Sequence, residues 1–63
     1  MTKANMRKEL LMEADRLWRS ADANIANMQP VASNPQALLM IEKNKGYKMA
    51  MEDLVEFIHN KLN

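Results

Sequence analysis

Glu56 and His59 stand three residues apart, a Glu-x-x-His spacing. On two helices of a four-helix bundle, with a glutamate from each of the other two, that spacing holds a pair of metal ions. Glu9 or Glu13 could supply the extra carboxylates. At about 100° per residue, however, Glu56 and His59 point away from Met51, Leu54 and Ile58, and a metal inside a bundle needs its ligands on the apolar side. The pair reads instead as a solvated polar face with a histidine near a helix C-terminus, where positive charge is favoured.

Lys43, Lys45 and Lys48 surround Gly46 and Tyr47, the densest basic cluster in the chain. An aromatic ring among lysines can stack a base while the ammonium groups hold phosphate. Arg16 and Arg19 beside Trp18 raise the same idea in the first half. These five cations are the candidate phosphate or nucleic-acid contacts. Against them, Tyr47 falls on an apolar face and is expected to be mostly buried. Glu42, Glu52, Asp53 and Glu56 lie close by, with Lys48 and Glu52 spaced to pair at i,i+4. Nine basic and eight acidic residues leave a formal charge of only +1, far from the strongly basic balance of a typical nucleic-acid binder.

Catalysis finds few suitable residue types. There is no cysteine, one histidine and one glycine, and the serines are Ser20 and Ser33. A single glycine cannot build a phosphate-cradling loop. Glu52 and Glu56 share a polar face, where carboxylates titrate normally rather than as catalytic acids and bases. The reading therefore assigns no catalytic, metal or cofactor-binding residue and expects a protein that is not an enzyme.

What positions these residues is a pair of amphipathic helices. Met6, Leu10, Ala14, Leu17, Ala21, Ile25 and Met28 recur every three or four residues and predict one helix over about residues 3–28, with Thr2 as N-cap. Leu11 and Trp18 flank that face, and Asp15–Arg19 is set for an outer ion pair. A connection over about 29–34 follows, bounded by Pro30 and Pro35. Asn34 before Pro35, or Ser33 with Gln36 as a capping box, then starts a second helix over about 35–62. Its stripe is Met40, Tyr47, Met51, Leu54, Ile58 and Leu62, widened by Leu39, Ala50 and Phe57 on one side and by Ala37 and Val55 on the other. Ile41 lies at the margin, and Leu38 and Met49 beyond it. Gly46 marks either a tolerated glycine, a close approach or a kink.

The fold class expected is all-α: a single antiparallel helical hairpin that assembles as a homodimeric four-helix bundle or a larger helical oligomer. A chain of 63 residues buries too small a share of its surface to be robust alone. Without disulfides or a metal, assembly is the remaining support. Leu11, Trp18, Leu39 and Phe57 should stay uncovered in a lone hairpin. With Leu38, Ile41 and Met49 they make up the candidate interface. Trp18 is the natural anchor, because tryptophan is enriched at binding hot spots. Of the seven methionines, Met6, Met28, Met40 and Met51 are core by phase, while Met12 and Met49 are not.

Lys45–Leu54 resembles helices of small phage proteins, and the architecture is similar to the Rop-type dimeric hairpin at the level of fold. The second resemblance implies a bundle and leaves function open. The absence of cysteine, of a leader pattern and of an apolar run long enough to span a bilayer suggests a cytoplasmic protein. The expected role is a small interaction protein that self-associates and binds a larger macromolecule, a protein, as an adaptor or inhibitor of phage-accessory type. The alternative is an oligomeric nucleic-acid or nucleotide binder working through the lysine and arginine surface.

Overall fold

Two caps and one turn set the boundaries of the hairpin. In the computed structural model, which describes residues 2–62, α1 runs Lys3–Met28 and α2 runs Pro35–Lys61. Thr2 is extended, and its hydroxyl accepts from the Asn5 N–H at 3.1 Å. This satisfies one of the donors that a helix start leaves open. At the other end of α1 the chain tightens into a 3-10 turn, Gln29–Val31, with Pro30 inside it. The Ala32 and Asn34 N–H groups close the turn onto the carbonyls of Gln29 and Val31. Asn34, rather than Ser33, caps α2: its side chain accepts from the Gln36 N–H at 2.8 Å, with Pro35 in the first turn. Proline fits there because its missing N–H would have no helical partner. α2 is continuous through Gly46, and nothing lies within 4 Å of where a Cβ would stand on it. Gly46 is therefore neither a kink nor a close approach within the hairpin.

The two helices pack antiparallel along one seam. In α1 the covered residues are Arg7, Leu11, Ala14, Trp18, Ala21, Ile25 and Met28; in α2 they are Ala37, Ile41, Asn44, Lys48, Met51, Val55 and Ile58, followed by Leu62 at its C-cap. Steps of four and three alternate without a break in both helices. That average of 3.5 residues keeps a seam facing its partner along the whole length of a coiled coil. The alanines at 14, 21 and 37 are buried and let the helices approach closely beside the larger side chains.

This seam is rotated from the stripe expected from sequence. Leu11 and Trp18 lie in it, half-buried, rather than uncovered on the flank. Ile41, placed at the margin and counted as outer interface, is only 3% exposed and is part of the core. Conversely, Met6, Leu10, Leu17, Met40 and Leu54 are exposed at the seam's edge, and Tyr47, expected to be mostly buried, is 51% exposed. The physical reason is that an apolar face this broad offers two possible seams, and two helices can close only one. The one chosen covers Trp18 and accepts Lys48, whose stem crosses the seam while its ammonium reaches water-facing partners.

The product is a slab one helix thick. Its principal extents are 47 × 15 × 11 Å. The radius of gyration is 14.6 Å, against about 11 Å for a compact chain of this length. Accessible surface is 4896 Å², where a globular monomer of this mass exposes about 4200 Å². Ala14, Ala21, Ala37, Ile41 and Ile58 form the buried apolar core of the described residues, and no large side chain among them is completely enclosed.

Candidate interaction surface

The seam divides the remaining surface into two unlike flanks. In an antiparallel coiled coil, the residues preceding the a positions of both helices share one side, and those following the d positions share the other. Leu10 and Leu17 precede Leu11 and Trp18; Met40, Tyr47 and Leu54 precede Ile41, Lys48 and Val55. Met6 and Phe57 lie a turn further out on that same side. These seven are exposed, and they are seven of the twelve exposed large apolar side chains among the described residues. With roughly 200 Å² for a large side chain, their fractional exposures amount to roughly 650 Å². That is at the upper end of the largest apolar patch on ordinary monomers. It also approaches the roughly 800 Å² per partner of a standard stable interface.

The apolar flank is not flat. Leu17, Ser20, Ala21, Asn24, Asn44, Tyr47 and Met51 line an open hollow of about 330 Å³. The small residues Ser20 and Ala21 create it. Asn44 is buried in the seam beside it, donating to the Met40 carbonyl at 2.8 Å and accepting from Asn24 at 3.3 Å. A buried, satisfied asparagine in a helical seam fixes register at some cost in stability.

On the opposite flank polar side chains pair with one another across the seam. The Lys48 ammonium lies 2.8 Å from Asp22 and 4.4 Å from the Trp18 ring centroid. The Trp18 indole N–H donates to Glu52 at 3.3 Å. Lys48 thus reaches across to α1 instead of pairing with Glu52 one turn on. At the open end Arg7 donates from Nη2 to His59 Nδ1 at 2.7 Å, and Arg7 Nε is buried without an acceptor. Sequence spacing gave no sign of the cross-helix contact of Arg7 with His59, because residues 52 apart meet only once the hairpin closes. A shallow cleft of about 500 Å³ runs between Trp18 and His59 over Leu11, Ala14, Met51 and Val55, with Asp15 and Glu52 at its rim.

The five candidate phosphate-binding cations do not converge. Arg16 pairs with Glu13, Arg19 with Asp15 at 3.0 Å, Lys45 with Glu42 at 3.5 Å and Lys48 with Asp22. Lys43 sits 5.9 Å over the ring of Tyr47. The Asp15–Arg19 pair is the one expected from spacing. The hydrogen bond from Arg16 holds the Glu13 carboxyl below its ordinary range, and the same bond raises Arg16. Glu56 and His59 are exposed on the far side from Leu54, and no group of three histidine, aspartate or glutamate side chains converges on a metal position among the described residues. No helix of the described residues is long and apolar enough to cross a membrane.

Of the candidate interface residues, Leu38, Leu39, Met49 and Phe57 are exposed, whereas Leu11, Trp18 and Ile41 serve the hairpin's own seam. Phe57 alone of these seven belongs to the apolar flank. The flank's other members were legible as apolar periodicity but were assigned to the core.

Comparison with protein-family models, curated proteins and solved structures found no significant match to this chain.

Proposed function

We propose that this chain acts by association rather than by chemistry. It is a helical hairpin that pairs with a second copy through the flank of Leu10, Leu17, Tyr47, Leu54 and Phe57. The assembled bundle then engages a larger protein as an adaptor or inhibitor. The observation that carries this reading is the concentration of exposed apolar side chains on one flank of a slab only 11 Å thick. Covering that flank gives a second layer and a four-helix core. The side chains left outside such a bundle, Leu38, Leu39 and Met49 on α2, are the contact points proposed for the larger partner.

The cations distributed around the hairpin, each with a local acid or ring, favour no phosphate-binding surface. The decisive comparison is Leu54→Lys against Met12→Lys in sedimentation velocity. Leu54→Lys buries an unpaired charge in the proposed interface and should raise the dimer dissociation constant more than tenfold. Met12→Lys, on the other side of α1, should leave it unchanged. Equal behaviour of the two variants would remove the flank from the interface.

A further inference from the structure

We infer that the cleft between Trp18 and His59 is a docking site for an arginine side chain of the larger protein partner. This rests on the association reading above and adds to it the chemistry of the residue that the partner presents.

The cleft is a gap in the seam, and one small side chain makes it. Ala14 is 1% exposed and fills little of the space between Leu11 and Trp18. With Met51 and Val55 of α2, these residues floor a trough of about 500 Å³ that has the indole at one end and His59 at the other. That volume lies within the range of sites that accept a bound group.

The rim carries carboxylates on both sides. Asp15 follows Ala14 and Glu52 follows Met51, so one stands on each helix along the same flank. The bond from the Trp18 indole to Glu52 sets the two acids within about a turn of each other, because Asp15 is one turn before Trp18. Like charges facing each other across a seam repel, and a cation between them removes that cost. The chain's own cations do not fill the position. Lys48 is held by Asp22 at 2.8 Å, which leaves Glu52 bonded to the neutral indole N–H rather than to a cation. Arg7 is bonded to His59 at the other end of the trough. Arg19 meets Asp15 at 3.0 Å, but in an exposed pair of the kind that contributes little, and a carboxylate has lone pairs for a second donor.

The complementary group is a long apolar stem that ends in a cation able to serve two carboxylates. Arginine meets this better than lysine. Its guanidinium has five N–H donors in a fixed fork, is weakly hydrated and lies well against an aromatic ring. Its methylenes cover Leu11 and Val55 while its head reaches Asp15 and Glu52. Leu38 follows Ala37 as Asp15 follows Ala14, so this contact proposed for the partner shares a flank with the trough. That flank stays open when a second copy covers the other one.

Trp18 is the chain's single tryptophan, and its fluorescence reports occupancy of the trough. The probe is a helical peptide without tryptophan or tyrosine, with one arginine set between leucines a turn away on either side. A second peptide carries glutamate in place of that arginine. Both are titrated into the unsubstituted chain and into Leu54→Lys. The expected result is a saturable change in Trp18 emission with the arginine peptide in both chains, and none with the glutamate peptide. Combining Asp15→Asn with Glu52→Gln should weaken binding at least about fivefold, since two ion pairs at a solvated rim are lost. Glutamine keeps an acceptor for the indole N–H, so the loss reads charge rather than a freed ring. Equal affinity for the two peptides, an affinity untouched by the double substitution, or no change in emission with the arginine peptide would each overturn the proposal. None of these outcomes bears on the pairing of copies, which sedimentation velocity reads without any peptide.

Discussion

Ile41→Ala should be far more damaging than Met40→Ala, although the two residues are adjacent and alike in hydrophobicity. Ile41 is 3% exposed in the seam, whereas Met40 is 43% exposed at its edge. Truncating a buried isoleucine to alanine costs about 2–5 kcal/mol, through lost transfer energy and the cavity left behind. The lower half of that range applies here, because a two-helix slab can relax around a void. A domain of this size has a stability of roughly 3–9 kcal/mol at 0.05–0.15 kcal/mol per residue, so a loss of about 2–3 kcal/mol removes a large part of it. At about 4–8 °C per kcal/mol for small domains, the melting temperature should fall by at least about 8 °C. Met40→Ala, already half in water, should cost about 1 kcal/mol or less. Both variants should be melted by circular dichroism in a Leu54→Lys background at one chain concentration, so that dimer linkage does not enter the difference. A Met40→Ala loss equal to or larger than the Ile41→Ala loss would mean that the helices close on the other stripe, and would refute the seam described here.

Three further outcomes follow from the same geometry. Gly46→Ala should stabilise by about 1 kcal/mol, because the position is mid-helix and open; a destabilised variant in thermal melts would mean that another chain covers Gly46. Asn44→Leu should raise the melting temperature, since an apolar residue replaces a polar group in the seam; a lower melting temperature would mean that the bonds of Asn44 to Asn24 and the Met40 carbonyl outweigh its desolvation. Glu13→Gln should flatten one small step in the acid denaturation curve. A carboxyl held low by Arg16 contributes stability above its unfolded pKa and loses it as pH falls through the lower folded one. A step unchanged by the substitution would assign it to other carboxylates.

Much of the architecture was legible in the sequence because local rules decided it. Thr2, Pro30, Asn34 and Pro35 act within a few residues of themselves, and they set the helix boundaries to within about a residue. The rotation of the helices was not legible, because it depends on a choice between two overlapping stripes. Leu10 and Leu17 fit the 3.6-residue period as well as Leu11 and Trp18 do. What decides between them is the partner helix. Lys48 takes a seam position only because Asp22 and Trp18 on α1 receive its ammonium, and Asn44 only because Asn24 and the Met40 carbonyl satisfy its amide. A lysine and an asparagine look like outer-face residues until those neighbours are in place. The same misphasing hides the apolar flank apart from Phe57, because periodicity alone puts its other residues inside.

The central claim is that this flank is covered by a second copy, and light scattering after size exclusion over a wide concentration range tests it most directly. The expected species has twice 7.3 kDa, dissociates only on dilution and is converted to a monomer by Leu54→Lys. A folded monomer of 7.3 kDa at every concentration would contradict it.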